Sequence, residues 1–91
     1  MTFRILYTES YNRKAEKFIS RHPDLLPQYE KTLRLFQVSP FHPSLRLHQL
    51  KGQLKDLHSV SINISYRITL EFTLDDKTII PVNVGKHGDV Y

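Results

Sequence analysis

The 91-residue sequence predicts an α+β domain in which a helical hairpin packs on one face of a four-stranded, mostly antiparallel sheet. The first observation behind this prediction is the order of elements: one short strand, two amphipathic helices, then three consecutive strands. The second is that apolar residues occupy every even position from 60 to 74, as in strands with one covered and one open face. With 40% hydrophobic residues, a chain of this length can form one modest core, so we expect a single domain over residues 1–91.

The N-terminal half accounts for the first strand and both helices. Residues 3–7 are apolar and aromatic enough for a short strand, and Thr8 begins a typical helix start. Apolar residues at helical spacing then predict a first helix that ends at His22–Pro23. Asp24 is expected to cap a second helix, which ends at Ser39–Pro40. Together they form a hairpin whose core-facing positions include Tyr11, Ala15, Phe18, Ile19, Leu26, Tyr29, Leu33 and Phe36.

The C-terminal half supplies the three consecutive strands. Residues 40–56 show little periodicity and predict a connection. The alternating run of 15 residues would be about 50 Å long at about 3.3 Å per residue, too long for this domain, so a turn near Asn63–Ser65 must split it. Its odd positions form a polar face that displays Ser61, Asn63 and Arg67 and is suited to an extended polyanion.

The last strand is expected over residues 78–84, after a turn at residues 75–77. Ile80, Val82 and Val84 are expected to share one face of this strand. Pro81 has no amide donor, so it must lie at an edge, a bulge or a position that forms no ladder hydrogen bond.

Composition excludes several classes of function. The chain has no cysteine and therefore no disulfide, thiolate metal site or cysteine nucleophile. No apolar run approaches the roughly 18 residues of a membrane span, and the N-terminus does not resemble a signal peptide, so a cytoplasmic location is expected. The nine acidic residues are scattered, which argues against a two-metal nuclease, and no Gly-rich phosphate loop is present. A zinc site of His48, His58, His87 and Asp89 is a minor alternative to a metal-free protein, because these residues lack the close spacing of known zinc motifs.

The charge of the chain favours an anionic partner. The formal net charge is +4 and the isoelectric point is near 9.5. Residues 41–70 contain four basic residues but only one acidic residue, Asp56. The basic residues are Arg46, Lys51, Lys55 and Arg67. This distribution suits nucleic acid or an acidic protein, although a solvated basic face would give the same composition.

Three short blocks, in this order, resemble the RelE branch of the RelE/ParE toxin superfamily. They are Leu-Lys-Gly-Gln-Leu at residues 50–54, Ser-Tyr-Arg-Ile at residues 65–68, and Val-Gly-Lys-His-Gly-Asp-Val-Tyr at residues 84–91. The resemblance implies the fold described above and a type II toxin–antitoxin system. It also implies a hetero-oligomer with a cognate antitoxin, and cleavage of mRNA in the ribosomal A site without a metal or other cofactor.

The resemblance also assigns roles to individual residues. Arg67 matches the arginine that stabilises the scissile phosphate, and His87 matches the catalytic arginine or histidine after the last strand. Tyr91 matches the terminal aromatic residue, and His48 resembles the histidine that some members, similar to YafQ, place before the Leu-x-Gly block. Further contacts to RNA are expected from Arg46, Lys51, Lys55, His58 and Lys86.

The sequence departs from the family at two places. RelE-like members usually carry Lys or Arg on the strand before the Tyr-Arg-Ile block, where this chain has Ser59 and Ser61; His58 is near but out of phase. The acidic residue of histidine-using members is absent, and Ser65 lies close to its position. The departures imply that His48 and His87 carry the chemistry or that activity is weakened.

The expected reaction fits these residue types. RNA carries its own nucleophile in the ribose 2′-OH, so the protein needs only a base, an acid and a positive charge for the phosphorane. Imidazoles suit the proton transfers, and a guanidinium suits the phosphate. The products would be a 2′,3′-cyclic phosphate and a 5′-OH.

Alternatives remain at this stage. Arg67 could simply pair with Glu71 on the same strand face, and His48 and His58 could be ordinary surface histidines. The protein could instead be a ParE-like inhibitor of DNA gyrase, or a weakened toxin that acts mainly as an antitoxin-bound co-repressor.

Overall fold

The structure, a computed structural model, describes residues 2–52 and 56–86. It confirms the α+β class but corrects the sheet, which has five strands instead of four and is mixed, with one parallel and three antiparallel strand pairs. The elements in chain order are β1 (Arg4–Ile5), α1 (Glu9–Arg21), α2 (Leu26–Val38), β2 (His48–Gln49), β3 (His58–Ser61), β4 (Tyr66–Thr73) and β5 (Thr78–Lys86), with 3₁₀ turns at Pro23–Leu25 and Pro43–Leu45.

The two helices begin and end close to their expected positions. The Thr8 hydroxyl accepts a hydrogen bond from the Tyr11 amide at 3.0 Å and so caps α1. The prediction that Asp24 caps α2 is wrong. A 3₁₀ turn over Pro23–Leu25 leads directly into the helix, whose N-cap is Leu25 with no side-chain hydrogen bond. Neither helix, within the part of the chain described, is long and apolar enough to cross a bilayer.

The strand order in the sheet is β1-β5-β4-β3-β2. β1 is parallel to β5, with Arg4 opposite Thr78, and the other pairs are antiparallel. The fifth strand, β2, lies in the segment that the sequence predicts to be a connection. Its two residues are too few to produce a periodic pattern, and it forms by pairing with β3, where His48 lies opposite Ser59.

The alternating run from residue 60 is split by a turn between β3 and β4, as predicted. The Asn63 side-chain oxygen accepts hydrogen bonds from the Ser65 and Tyr66 amides, both at 2.9 Å. Ile64 at the tip is 95% exposed, so the alternation does not report burial inside the turn.

A β-bulge shifts the facing pattern along β5. Thr69 pairs with Asn83 but the next residue, Leu70, pairs with Pro81, so Val82 is the extra residue. The prediction that Ile80, Val82 and Val84 share a face is therefore wrong: Val84 faces the core, but beyond the bulge Ile79 and Pro81 are the buried residues. The missing amide of Pro81 is accommodated at this bulge, as expected.

The core lies between the helices and the even-numbered face of β3 and β4. Two tyrosines, one from each helix, meet inside it, with the Tyr11 and Tyr29 hydroxyls 2.6 Å apart. Burial raises the pKa of both phenols, so the pair stays neutral and satisfies its own hydrogen bonding. The other core residues include Phe18, Leu33, Phe36, Val60, Ile62, Ile68, Leu70 and Ile79.

Candidate active site

Arg67 is the centre of a polar cluster on the face of the sheet opposite the helices. Its Nε donates a hydrogen bond to the Ser59 hydroxyl at 2.6 Å, and its Nη2 donates to the Arg46 carbonyl at 3.1 Å. Ser59 is fully buried beneath the guanidinium, on the same strand face as Arg67 and diagonal to it in the ladder. The alternative in which Arg67 pairs with Glu71 is not what the structure shows.

His48 joins this cluster from the edge strand β2. Its Nδ1 lies 3.4 Å from Nη2 of Arg67 and 3.4 Å from the Arg46 carbonyl oxygen, and its ring is exposed. Arg46 adopts a left-handed conformation with φ of 49°, which follows the 3₁₀ turn and turns the chain into β2. The local path of the chain therefore brings a carbonyl acceptor and an imidazole to the same guanidinium.

Two of the three guanidinium nitrogens of Arg67 have hydrogen-bond partners. Nε and Nη2 are engaged, whereas Nη1 has no acceptor among residues 2–52 and 56–86. A planar guanidinium with a free nitrogen is suited to a phosphate oxygen, because it retains donors in a fixed direction. No group of three or more His, Cys, Asp or Glu that could hold a metal ion occurs in the part of the chain described.

The structure brings together only some of the predicted site residues. Arg67, His48 and Arg46 form the cluster, and Lys51 is exposed two residues beyond β2. Three predicted site residues lie outside the described residues, namely Lys55, His87 and Tyr91.

Two further predicted residues are directed to the other face of the sheet. His58 faces the core side and packs edge-on against Phe72, with ring centroids 5.7 Å apart. Its Nδ1 is buried without a partner among the described residues, and burial, with a smaller contribution from the charge of His48, lowers its pKa. Lys86 lies opposite Tyr66 at the end of β5 and lines a groove beside α1.

Ser59 is the site residue that sequence reasoning missed. In the sequence, Ser59 differs from the Lys or Arg expected on this strand from the resemblance to RelE-like toxins. In the structure, its hydroxyl holds the Arg67 side chain, a role that a second cation at the same place would oppose. The alternation pattern gave one signal for this role. Ser59 and Arg67 both occupy odd positions of the alternating run, so they are predicted to lie on the same face of the sheet.

The comparison with solved structures identifies the fold. No family model matches the chain, and no curated protein matches it. Among solved structures, a YafQ mutant from E. coli is 17% identical, with 98% of each chain covered and a TM-score of 0.77. YafQ in the E. coli DinJ–YafQ toxin–antitoxin complex is 18% identical, with 100% of this chain and 99% of that chain covered and a TM-score of 0.70. A copper-bound mutant toxin from Helicobacter pylori is 20% identical over 98% and 99% of the chains, with a TM-score of 0.68. The chain therefore has the RelE/YafQ-like toxin fold.

Proposed function

We propose that this protein is the toxin of a type II toxin–antitoxin system and that it is a ribosome-dependent, metal-independent mRNA endonuclease acting in the cytoplasm as a single domain. The observation that carries the proposal is the partly exposed Arg67 guanidinium, anchored by Ser59 and the Arg46 carbonyl and lying beside His48. The fold supports it, because solved structures with this fold include toxins and toxin–antitoxin complexes. A cognate antitoxin is accordingly proposed as the stable partner.

In the proposed reaction, the ribose 2′-oxygen attacks the adjacent phosphorus as a base removes its proton. Arg67 donates hydrogen bonds to the non-bridging oxygens, whose negative charge grows in the phosphorane. The bond to the 5′-oxygen then breaks as an acid protonates that oxygen, leaving a 2′,3′-cyclic phosphate and a 5′-OH. His48, whose Nδ1 lies 3.4 Å from Nη2 of Arg67, is proposed for one proton transfer, and His87 with Tyr91 is proposed for the other.

The modest net charge of the chain supports a role for the ribosome in this reaction. The net charge of +4 provides few phosphate contacts, so the chain by itself is expected to hold RNA weakly. A translating ribosome would present the message in an ordered form and supply the orientation that the protein lacks.

Primer extension on a translated message after induced expression tests the proposal. The unaltered chain should arrest growth and cut within codons only while the message is translated. Arg67→Ala should lower cleavage by about 10²- to 10³-fold, the usual cost of removing a donor to a developing oxyanion, and His87→Ala should also reduce it strongly. Arg34→Ala is the matched control, because it removes the same charge from an exposed position on α2.

Two outcomes would point elsewhere. Intact messages together with induced DNA damage would indicate a gyrase inhibitor of the ParE kind. Intact messages, normal growth and tighter operator binding by a toxin–antitoxin complex would indicate a co-repressor. Cleavage that is unchanged in both Arg67→Ala and His87→Ala would refute the roles assigned here.

A further inference from the structure

A groove of about 470 Å³ lies between α1 and the ends of β4 and β5, on the side of the sheet away from Arg67. Its size falls within the range of ligand pockets, toward the smaller end. None of the described residues that line it is acidic. We call it the α1 groove.

The α1 groove is bordered by four cations. Lys14, Lys17 and Arg21 recur every three or four residues and therefore lie on one face of α1, and Lys86 approaches from the end of β5. Lys14 is tethered there, with Nζ donating to the Val82 carbonyl at 3.3 Å. Several like charges beside one concave surface make a local positive potential that attracts an anion.

Three aromatic rings line the same groove. Each ring contacts the other two: the Tyr66 ring centroid lies 5.3 Å from Phe18 and 4.8 Å from His22, and the Phe18 and His22 centroids are 5.0 Å apart. Phe18 is 7% exposed and forms the floor, whereas Tyr66 and His22 are only partly buried. The rings support one another, so they can offer a preformed surface to a flat group.

The α1 groove meets the candidate active site at the end of the β4–β5 ladder. Tyr66 and Arg67 are consecutive on β4 and face opposite sides, and they pair with Lys86 and Gly85. A ligand that crosses this end of the ladder would contact both faces.

We propose that the α1 groove binds single-stranded RNA, taking one nucleotide beside the segment held at Arg67, with its base on Tyr66 and His22 and its phosphates at the cations. Proteins that bind single-stranded nucleic acid combine a positively charged groove with aromatic side chains on which bases stack. An acidic protein segment would need the charges but not the aromatic surface, so the rings favour RNA. The inference rests on the proposed function only for the identity of the RNA.

The charge contribution is tested with a short 2′-O-methyl oligonucleotide, which lacks the nucleophile, and the purified chain. Lys17→Gln/Arg21→Gln should weaken binding and lower the dependence of log affinity on log salt by about 1.4, since each phosphate contact with a single strand contributes about 0.7. Lys31→Gln/Arg34→Gln removes the same charge from exposed positions on α2 and should leave that slope unchanged. Equal losses in both variants, or no binding by the unaltered chain, would overturn the proposal.

The stacking contribution is tested at Tyr66. Tyr66→Leu should weaken binding of the oligonucleotide about tenfold, whereas Tyr66→Phe should bind like the unaltered chain. If Tyr66→Leu does not fold, photocrosslinking with a 4-thiouridine oligonucleotide replaces it, and crosslinks should map to residues 14–22 or to Tyr66. Crosslinks only elsewhere, or a poly-glutamate peptide of equal charge that binds as tightly and is insensitive to Tyr66→Leu, would overturn the proposal in favour of a protein ligand.

These measurements separate the two proposals because they need neither a ribosome nor cleavage. If the groove variants weaken RNA binding but translated messages are not cleaved, the RNA-binding proposal for the α1 groove holds and the nuclease proposal is refuted. If messages are cleaved during translation but the groove variants bind RNA like the unaltered chain, the nuclease proposal holds and the RNA-binding proposal for the α1 groove is refuted.

Discussion

The two faces of β4 are built on different principles. On the helix side, Ile68 and Leu70 are fully buried in an apolar core that is formed by many side chains. On the opposite side, the Arg67 guanidinium depends on two hydrogen bonds that it donates, one to the Ser59 hydroxyl and one to the Arg46 carbonyl. Stability is therefore distributed over many residues on one face, whereas the geometry of the candidate site rests on very few on the other.

The open face is not simply a solvated surface. Ser59 and Thr69 lie on it and are 0% and 1% exposed, and they are opposite each other in the β3–β4 ladder. Buried hydroxyl groups need hydrogen-bond partners, which makes this face directional in a way that an apolar face is not. A small change of side chain there should alter function as well as stability, whereas on the helix side it should alter mainly stability.

The largest effect on stability is expected from Ile68→Ala. The variant removes a fully buried side chain from the centre of the sheet, which should cost about 2–5 kcal/mol of unfolding free energy. Urea unfolding followed by circular dichroism measures it. Glu71→Ala on the same strand is exposed and should change stability by no more than about 0.5 kcal/mol. A loss below about 1 kcal/mol for Ile68→Ala would contradict the contrast between the faces.

Ser59→Ala is expected to lower stability less than Ile68→Ala and also to reduce cleavage. Removing the hydroxyl leaves the Arg67 Nε without its acceptor, which should cost about 1–3 kcal/mol of stability and let the guanidinium turn away from its present position. Cleavage should fall about tenfold while the fold is retained, because Ser59 acts through Arg67 as a positioning residue.

Two comparisons check that role of Ser59. Ser61→Ala also removes a hydroxyl from β3, but that hydroxyl donates to the Asn63 carbonyl at 2.6 Å, so cleavage should be unchanged. In an Arg67→Ala background, Ser59→Ala should have no further effect on cleavage, as a double-mutant cycle requires of coupled residues. Additive losses in the double variant would show that Ser59 acts independently of Arg67.

The fold was predictable where the signal was periodic. The alternation of residues 60–74 located β3, β4 and the turn between them, and Thr8 located the start of α1. The two-residue strand β2 carries no pattern of its own and forms only through its pairing with β3. The bulge at Val82 reverses the inward phase within one strand, and nothing but the neighbouring Pro81 indicated it.

The candidate site was predictable as a set of residue types but not as an arrangement. Arg67 and His48 are brought together, although they lie 19 residues apart, because β2 and β4 flank β3. The phase of Ser59 indicates only that it shares a sheet face with Arg67; its role as a support depends on which way the guanidinium turns. His58 was expected beside the RNA, but its even position directs it toward Phe72 on the opposite face.

The smallest expected effect concerns pH and His58. Burial, and secondarily the charge of His48, lowers the pKa of His58 below its ordinary 6.5, so the unfolded chain binds this proton more readily than the folded chain. The contribution of His58 to stability should therefore fall as pH drops from 6.5 through the lowered pKa, and stay constant above 6.5. His58→Leu also removes the buried Nδ1, which has no partner among residues 2–52 and 56–86, so it should be more stable than the unaltered chain at about pH 5 and flatten the profile. Urea midpoints between about pH 5 and pH 8 measure this, with His42→Gln on an exposed turn as the control. A profile that keeps its full slope in His58→Leu would place the titrating group elsewhere.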